Sequence, residues 1–129
     1  MSVSPSITFD GRVALVTGAG GGLGRVYALP RGGVARVVVN DVRAAAAVVE
    51  EITAGAATRW PARIRSAPRP EEKAIVEEAP GAFGSVDVLI DNAGIVRDRS
   101  LAKMSAAELE AVLDVHLRGS FHVTKPAFR

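Results

Sequence analysis

The sequence predicts an α/β fold, a parallel sheet flanked by helices, and three observations carry that prediction. An apolar run, Val13 to Val16, meets five glycines within residues 18–24, and helix-compatible residues follow at once. A second apolar run, Val37 to Val39, closes on Asn40-Asp41, and a third, Val86 to Ile90, closes on Asp91-Asn92-Ala93-Gly94. Helical stretches lie between these runs, and alternating strands and helices fold as parallel strands with right-handed crossovers.

Residues 1–10 are expected as a leader, with Phe9-Asp10-Gly11 turning into a first strand over Arg12–Thr17, and residues 11–129 as one partial domain. A helix is expected over Leu23–Leu29. Pro30 ends it, because proline removes an N–H and clashes with the preceding turn. Arg31-Gly32-Gly33 turns into a strand at Arg36–Asn40, and Ala44–Thr53 is rich in helix formers, with Gly55 as its stop. Residues 56–70 hold three prolines and follow neither period, so they are expected to be irregular. A helix resumes at Glu71 and stops at Pro80-Gly81, and Ser85–Ile90 is the next strand. Ser105-Ala106-Ala107-Glu108 has the form of a capping box. It opens a long helix through Leu109, Val112 and Leu113, with Gly119 inside and Pro126 near the end.

Composition narrows the function classes. The chain of 129 residues is 48% hydrophobic and carries a net charge of +2, a balance that gives no general case for nucleic acid. Cys 0 excludes disulfides, thiol nucleophiles and cysteine–metal sites, and no metal is expected. No apolar stretch is long enough for a bilayer, so no membrane partner is expected and a cytoplasmic setting is.

The strand–glycine–helix order has a chemistry. It aims backbone N–H groups and the positive helix end at whatever lies above the strand, which is an anion site. Glycine lets a pyrophosphate approach the backbone and permits positive φ. Asp41 stands about 20 residues on, where a carboxylate receives ribose hydroxyls and repels a 2′-phosphate. The cofactor expected is therefore NAD rather than NADP. The alternative for the glycines is a tight turn without ligand, and for Asp41 a solvated strand end or a helix cap.

TGAGGGLG, the acid of VVVND, VDVLIDNAG and DVHLRGSF together resemble the short-chain dehydrogenase/reductase family over most of residues 9–128. FDGRVALVTGAG, NAGIVRDRS and VHLRGSFHVT look like the hydroxyacyl-CoA dehydrogenase part of peroxisomal multifunctional enzymes and their bacterial relatives. The resemblance implies a Rossmann-type parallel sheet with flanking helices, stopping after the fourth strand and the helix that follows. It implies that Thr17, Gly18, Gly22, Leu23 and Gly24 bind the cofactor, the last four along the pyrophosphate. Asp41 would hold the ribose, and Asn92, Ala93 and Gly94 would form the turn beside the cofactor. Asp91 replaces the family's usual asparagine. The catalytic candidate is His116, where most of the family has asparagine in its proton relay; a packed helix histidine is the equal alternative. His122 reads as structural or exposed, and Arg97, Asp98 and Arg99 as a solvated loop rather than an acyl-CoA contact.

The resemblance also shows what this chain lacks. The family transfers hydride with a serine and a Tyr-x-x-x-Lys pair. Tyr27 is the only tyrosine here, and Arg31 stands where its lysine would. The expectation is the cofactor-binding half of an oxidoreductase for 3-hydroxyacyl, 3-oxoacyl or similar alcohol and ketone substrates, without activity of its own. Its competitor is a non-catalytic nucleotide-binding or interaction fragment. Self-association through the C-terminal helix, and a peroxisomal setting, follow only from the resemblance. Back-translated with GC-rich codons and read two nucleotides later, Ala57–Ala67 gives Asp-Ala-Val-Ala-Arg-Thr-Asp-Ser-Val. That is an alternating strand with an acid near its end, which points to a slipped reading frame over residues 56–70. On that reading the arginines at 59, 63, 65 and 69 are accidental; the rival is a basic nucleic-acid loop around Trp60.

Overall fold

The computed structural model describes residue 9 and residues 11–29, 36–42, 45–54, 64–65 and 84–128. The leader apart from Phe9, the helix expected from Glu71 and most of residues 56–70 lie outside the described residues.

Four parallel strands, β1 (Val13–Thr17), β2 (Arg36–Asp41), β3 (Ile64–Arg65) and β4 (Val88–Ile90), form a sheet in the order β3-β2-β1-β4. All five residues of β1 are buried, as an inner strand covered on both faces requires. Val13 pairs with Arg36 and Thr17 with Asn40, while Ala14 pairs with Val88. At the entry edge Asp87 fixes this register. Its N–H donates to the Val13 carbonyl at 2.8 Å, and its Oδ2 accepts from the Val13 N–H at 2.8 Å. The Val13 N–H, with Arg12 beside it, holds the Asp87 carboxyl below the usual aspartate range.

The strand period of two separates two cores. Val16 and Val39 pack with Ala28, Val48 and Ile52 under α1 (Gly22–Ala28) and α2 (Ala45–Ala54). Val13, Leu15 and Val38 face the other way and meet Val123. Arg25 and Glu51 form a salt bridge that joins the two helices of the first face, Nε to Oε2 at 2.9 Å. On the same face an apolar groove of about 280 Å³ opens beside Phe9, Val26, Tyr27 and Val88, and no residue of the strand-end site lines it.

The Rossmann-type parallel sheet is as expected, with two local differences. Residues 56–70 were expected to be irregular throughout, yet Ile64–Arg65 pairs with β2, Asn40 opposite Ile64 and Asp41 opposite Arg65. Two residues are too short to show a period, so only the paired neighbour reveals this strand. The strand expected over Ser85–Ile90 has ladder pairing at Val88–Ile90, because Asp87 already bonds the entry of β1.

The last helical run begins at the capping box: Glu108 N–H donates to Ser105 Oγ at 3.2 Å, and Ser105 N–H to Glu108 Oε2 at 2.9 Å. It comprises α3 (Ala106–Leu113), a π-helical stretch (Asp114–Gly119) and α4 (Ser120–Ala127), after a 3₁₀ turn at Leu101–Lys103. The widening has local causes. Gly119 lets its backbone approach Asp114 O, from which even a Cβ would stand only 3.3 Å away. Ser120 Oγ donates to His116 O at 2.7 Å, a back-bond of the kind that bends helices.

Candidate functional site

The carboxyl ends of β1, β2 and β4 bring the expected residues together. Gly18 leaves β1 at φ +62°, and a Cβ there would stand 2.8 Å from Ala93 Cα. Gly24, on the first turn of α1, is buried, and a Cβ on it would overlap the Gly18 carbonyl oxygen and come within 2.5 Å of Asn92 Nδ2. Gly24 therefore acts by letting helix and strand touch backbone to backbone. Gly22 opens α1 at φ +52°, a conformation that disfavours any side chain.

The fate of each loop amide decides what the turn can bind. Ala19 N–H donates to Asn40 O at 2.9 Å, and Gly20 N–H to Asp41 Oδ2 at 2.9 Å. The N–H groups of Gly22, Leu23 and Gly24 have no acceptor among the described residues. Their N-cap, Gly21, has no side chain to satisfy them. Three donors at the positive end of a helix, with Gly22 and Leu23 exposed, suit an anion.

Thr17 is the hub beneath this turn. Its hydroxyl donates to Asp91 Oδ1 at 2.9 Å and accepts the N–H groups of Asn92 and Ala93, both at 3.0 Å. Asn92 Nδ2 donates to Thr17 O and Gly18 O, both at 3.2 Å, and so laces β4 to β1. An asparagine at 91 was the family expectation. Asp91 completes the circuit as an acceptor, which fixes the Thr17 proton and leaves both lone pairs for the two amides.

His116 projects from the π-helical stretch onto the turn. Its Nε2 lies 3.1 Å from Ile95 N and 2.8 Å from Ile95 O, and a Cβ on Gly94 would stand 2.8 Å from its Cε1. The ring thus ties the last helix to the segment after Asn92-Ala93-Gly94. His122 is exposed and edge-on to Phe121, with ring centroids 5.5 Å apart. Arg99 pairs with Glu108 at 2.8 Å and Arg97 reaches its neighbour's carbonyl, Val96 O, at 2.9 Å; Asp98 is exposed in the same loop. Among the described residues no cluster of His, Asp or Glu could hold a metal ion. No helix among them is long and apolar enough to cross a membrane.

Sequence reasoning missed Gly20. A Cβ there would stand 2.7 Å from Asp41 Cγ, so the glycine is needed by the carboxylate it bonds. The only sequence signal was a glycine in excess of the fingerprint.

A parallel sheet with this glycine turn, a strand-end acid and an Asn-Ala-Gly turn against it defines a Rossmann-type fold. The model of the short chain dehydrogenase family matches residues 12–129. The chain belongs to that family, whose members bind NAD(P). It is 48% identical to the peroxisomal multifunctional enzyme type 2 of Drosophila melanogaster, over 95% of this chain and 22% of that protein. It is 44% identical to the hydroxyacyl-CoA dehydrogenase ChsB1 of Mycobacterium tuberculosis, over 92% of this chain and 39% of that one. A short chain dehydrogenase from Mycobacterium avium superposes with a TM-score of 0.81 at 39% identity, covering 93% of this chain and 46% of the other. The chain thus spans less than half the length of these relatives.

Proposed function

We propose that the chain is the cofactor-binding half of an NAD-dependent short-chain oxidoreductase acting on 3-hydroxyacyl, 3-oxoacyl or similar alcohol and ketone substrates. The observation that carries this reading is the Asp41 carboxylate, held by Gly20 N–H at 2.9 Å, together with three amides that have no acceptor among the described residues. Gly22, Leu23 and Gly24 donate to the diphosphate, and Gly18 and Gly24 keep its approach open. Asp41 accepts from the adenosine ribose and disfavours a 2′-phosphate by charge. Asn92, Ala93 and Gly94 wall the far side, with His116 holding that wall through Ile95. NAD, when bound, supplies the hydride acceptor. The name of the ChsB1 relative supports an acyl-CoA substrate. The cytoplasm is the proposed setting, and the peroxisome is the alternative that the name of the multifunctional relative supports.

No phenol of this chain is placed to move a proton for that reaction. Tyr27 sits half-exposed on α1 and lines the apolar groove, away from the strand ends. The 129-residue chain alone therefore binds nucleotide without turnover. Fluorescence titration tests the first half: NADH binds more tightly than NADPH. Equal binding, or none, refutes it. NADH formation from NAD and a 3-hydroxyacyl-CoA by the purified chain refutes the second half.

The second reading, a non-catalytic interaction fragment, is favoured by one observation. Leu109, Leu117, Phe121 and Phe128 are exposed along the C-terminal helical run. They support self-association through that face. Phe121→Glu then lowers the sedimentation-derived mass of the chain towards the monomer, and an unchanged mass rejects that interface.

A further inference from the structure

His116 meets two backbone groups with one nitrogen. Its Nε2 lies 3.1 Å from the Ile95 nitrogen and 2.8 Å from the Ile95 carbonyl oxygen. The first group donates and the second accepts. An imidazole nitrogen without a proton can only accept, and one with a proton can only donate, so the ring serves one of them at a time. Among the described residues the ring has no other hydrogen-bond partner, and the residue is exposed, which leaves Nδ1 to water.

The two groups belong to different peptides. The Ile95 N–H lies in the bond to Gly94, which ends the Asn92-Ala93-Gly94 turn. The Ile95 carbonyl lies in the bond to Val96, where the exposed loop to Ser100 begins. The ring presses on the turn at the same point, since a Cβ on Gly94 would stand 2.8 Å from its Cε1. An orphaned backbone N–H is rarer than an under-satisfied carbonyl, so the neutral ring keeps its proton on Nδ1 and takes the Ile95 N–H. Histidine changes charge between pH 8 and pH 5, and an imidazolium carries a hydrogen on each nitrogen. Nε2 then has to leave the N–H for the carbonyl, with which it forms a charge-assisted bond.

The charged side chains of the two elements that meet at the ring are engaged elsewhere. On the segment after β4, Asp91 accepts from Thr17, Arg97 reaches Val96 O and Arg99 pairs with Glu108. On the helical run Arg118 pairs with Glu110 and Asp114, and His122 lies edge-on to Phe121. None of these, nor the exposed Asp98, bonds the ring. We propose that His116 is a proton-operated switch between the two peptides. Neutral, it holds the Asn92-Ala93-Gly94 turn through the Ile95 N–H; charged, it releases that turn and holds the following loop through the Ile95 carbonyl. Where the turn walls a nucleotide, acid loosens the wall, and that consequence alone rests on the nucleotide reading above.

Nitrogen NMR of the intact chain between about pH 8 and about pH 5.5 tests the switch. At the upper pH the His116 proton is on Nδ1, and at the lower pH both ring nitrogens carry one. Protection of the Ile95 N–H from hydrogen exchange falls over the same range by about fivefold, the worth of one hydrogen bond. In His116→Asn a carboxamide offers donor and acceptor together, so protection is the same at both pH values. That variant keeps His122, the other histidine of the chain, as an internal control. A neutral ring protonated on Nε2, unchanged protection, or a fall that persists in His116→Asn overturns the proposal. If the variant does not fold, the ring and amide spectra of the unaltered chain decide. Calorimetry with NAD tests the consequence: binding weakens in acid, and less so in His116→Asn. Equal or stronger binding in acid, with the amide switching, overturns the loosened wall alone. No NAD binding at either pH overturns the nucleotide reading and leaves the switch standing on its spectra.

Discussion

Gly24 and Gly18 touch backbone to backbone: a Cβ on Gly24 would overlap the carbonyl oxygen of Gly18 and stand 2.8 Å from its carbonyl carbon. Neither partner is a flexible side chain that can move aside. Gly24→Ala must push α1 away from β1, and overpacking of this kind costs about 1–3 kcal/mol or more. Urea denaturation should show the loss, whereas Gly21→Ala, where a Cβ meets nothing within 4 Å, should be far milder.

The Thr17 hydroxyl serves one carboxylate and two amides at once. Thr17→Val keeps the shape and strands those partners, at a cost of about 2 kcal/mol. Thr17→Ser keeps the hydroxyl and recovers most of it. Equal stability of the Val and Ser variants in thermal melts would show that the hub carries no weight.

Asp41→Asn retains an oxygen for the Gly20 N–H and removes the charge. The NADH-to-NADPH affinity ratio should fall by about fivefold, the roughly 1 kcal/mol between two unit charges about 4 Å apart in water. Titration of both nucleotides measures it, and an unchanged ratio would mean that cofactor choice is made elsewhere.

Two carboxylates among the described residues contribute to the acid limb of stability. The Val13 N–H, then Arg12, holds Asp87 below its ordinary 3.8, and the Ser105 N–H, then Arg99, holds Glu108 below its ordinary 4.5. For both, the unfolded chain binds the proton more readily. Their stabilisation is present above those ordinary values and disappears as pH falls through the lower folded ones. Asp87→Asn and Glu108→Gln should each flatten the fall of the urea midpoint below about pH 5. Unfolding curves of the two variants that parallel the unaltered chain would contradict this.

What the sequence made legible was local. The glycine turn, the acid after Val37–Val39 and the capping box at Ser105–Glu108 are patterns within a few residues, each with its own physical reason, and the structure builds all three. What it hid depends on distant partners. The Gly20–Asp41 bond spans 21 positions, and β3 exists only because β2 lies beside it. The π-helical stretch needs Gly119, Ser120 and a docked His116 together, and no helical period announces it. Asp91, noted as a departure from the family pattern, became intelligible only when Thr17 was found to be its donor.

The central strand, β1, is completed from both sides, and unequally in time. Its pairing with β2 closes a chain of 23 positions (36 − 13), while the Val13–Asp87 bond closes one of 74. Closing the longer loop carries the larger entropic cost, and non-local pairings slow folding. During synthesis, therefore, β1 and β2 emerge from the ribosome with one flank of β1 bare until Ile90 has cleared the exit tunnel, and an unpaired strand edge is open to association with other chains in that interval.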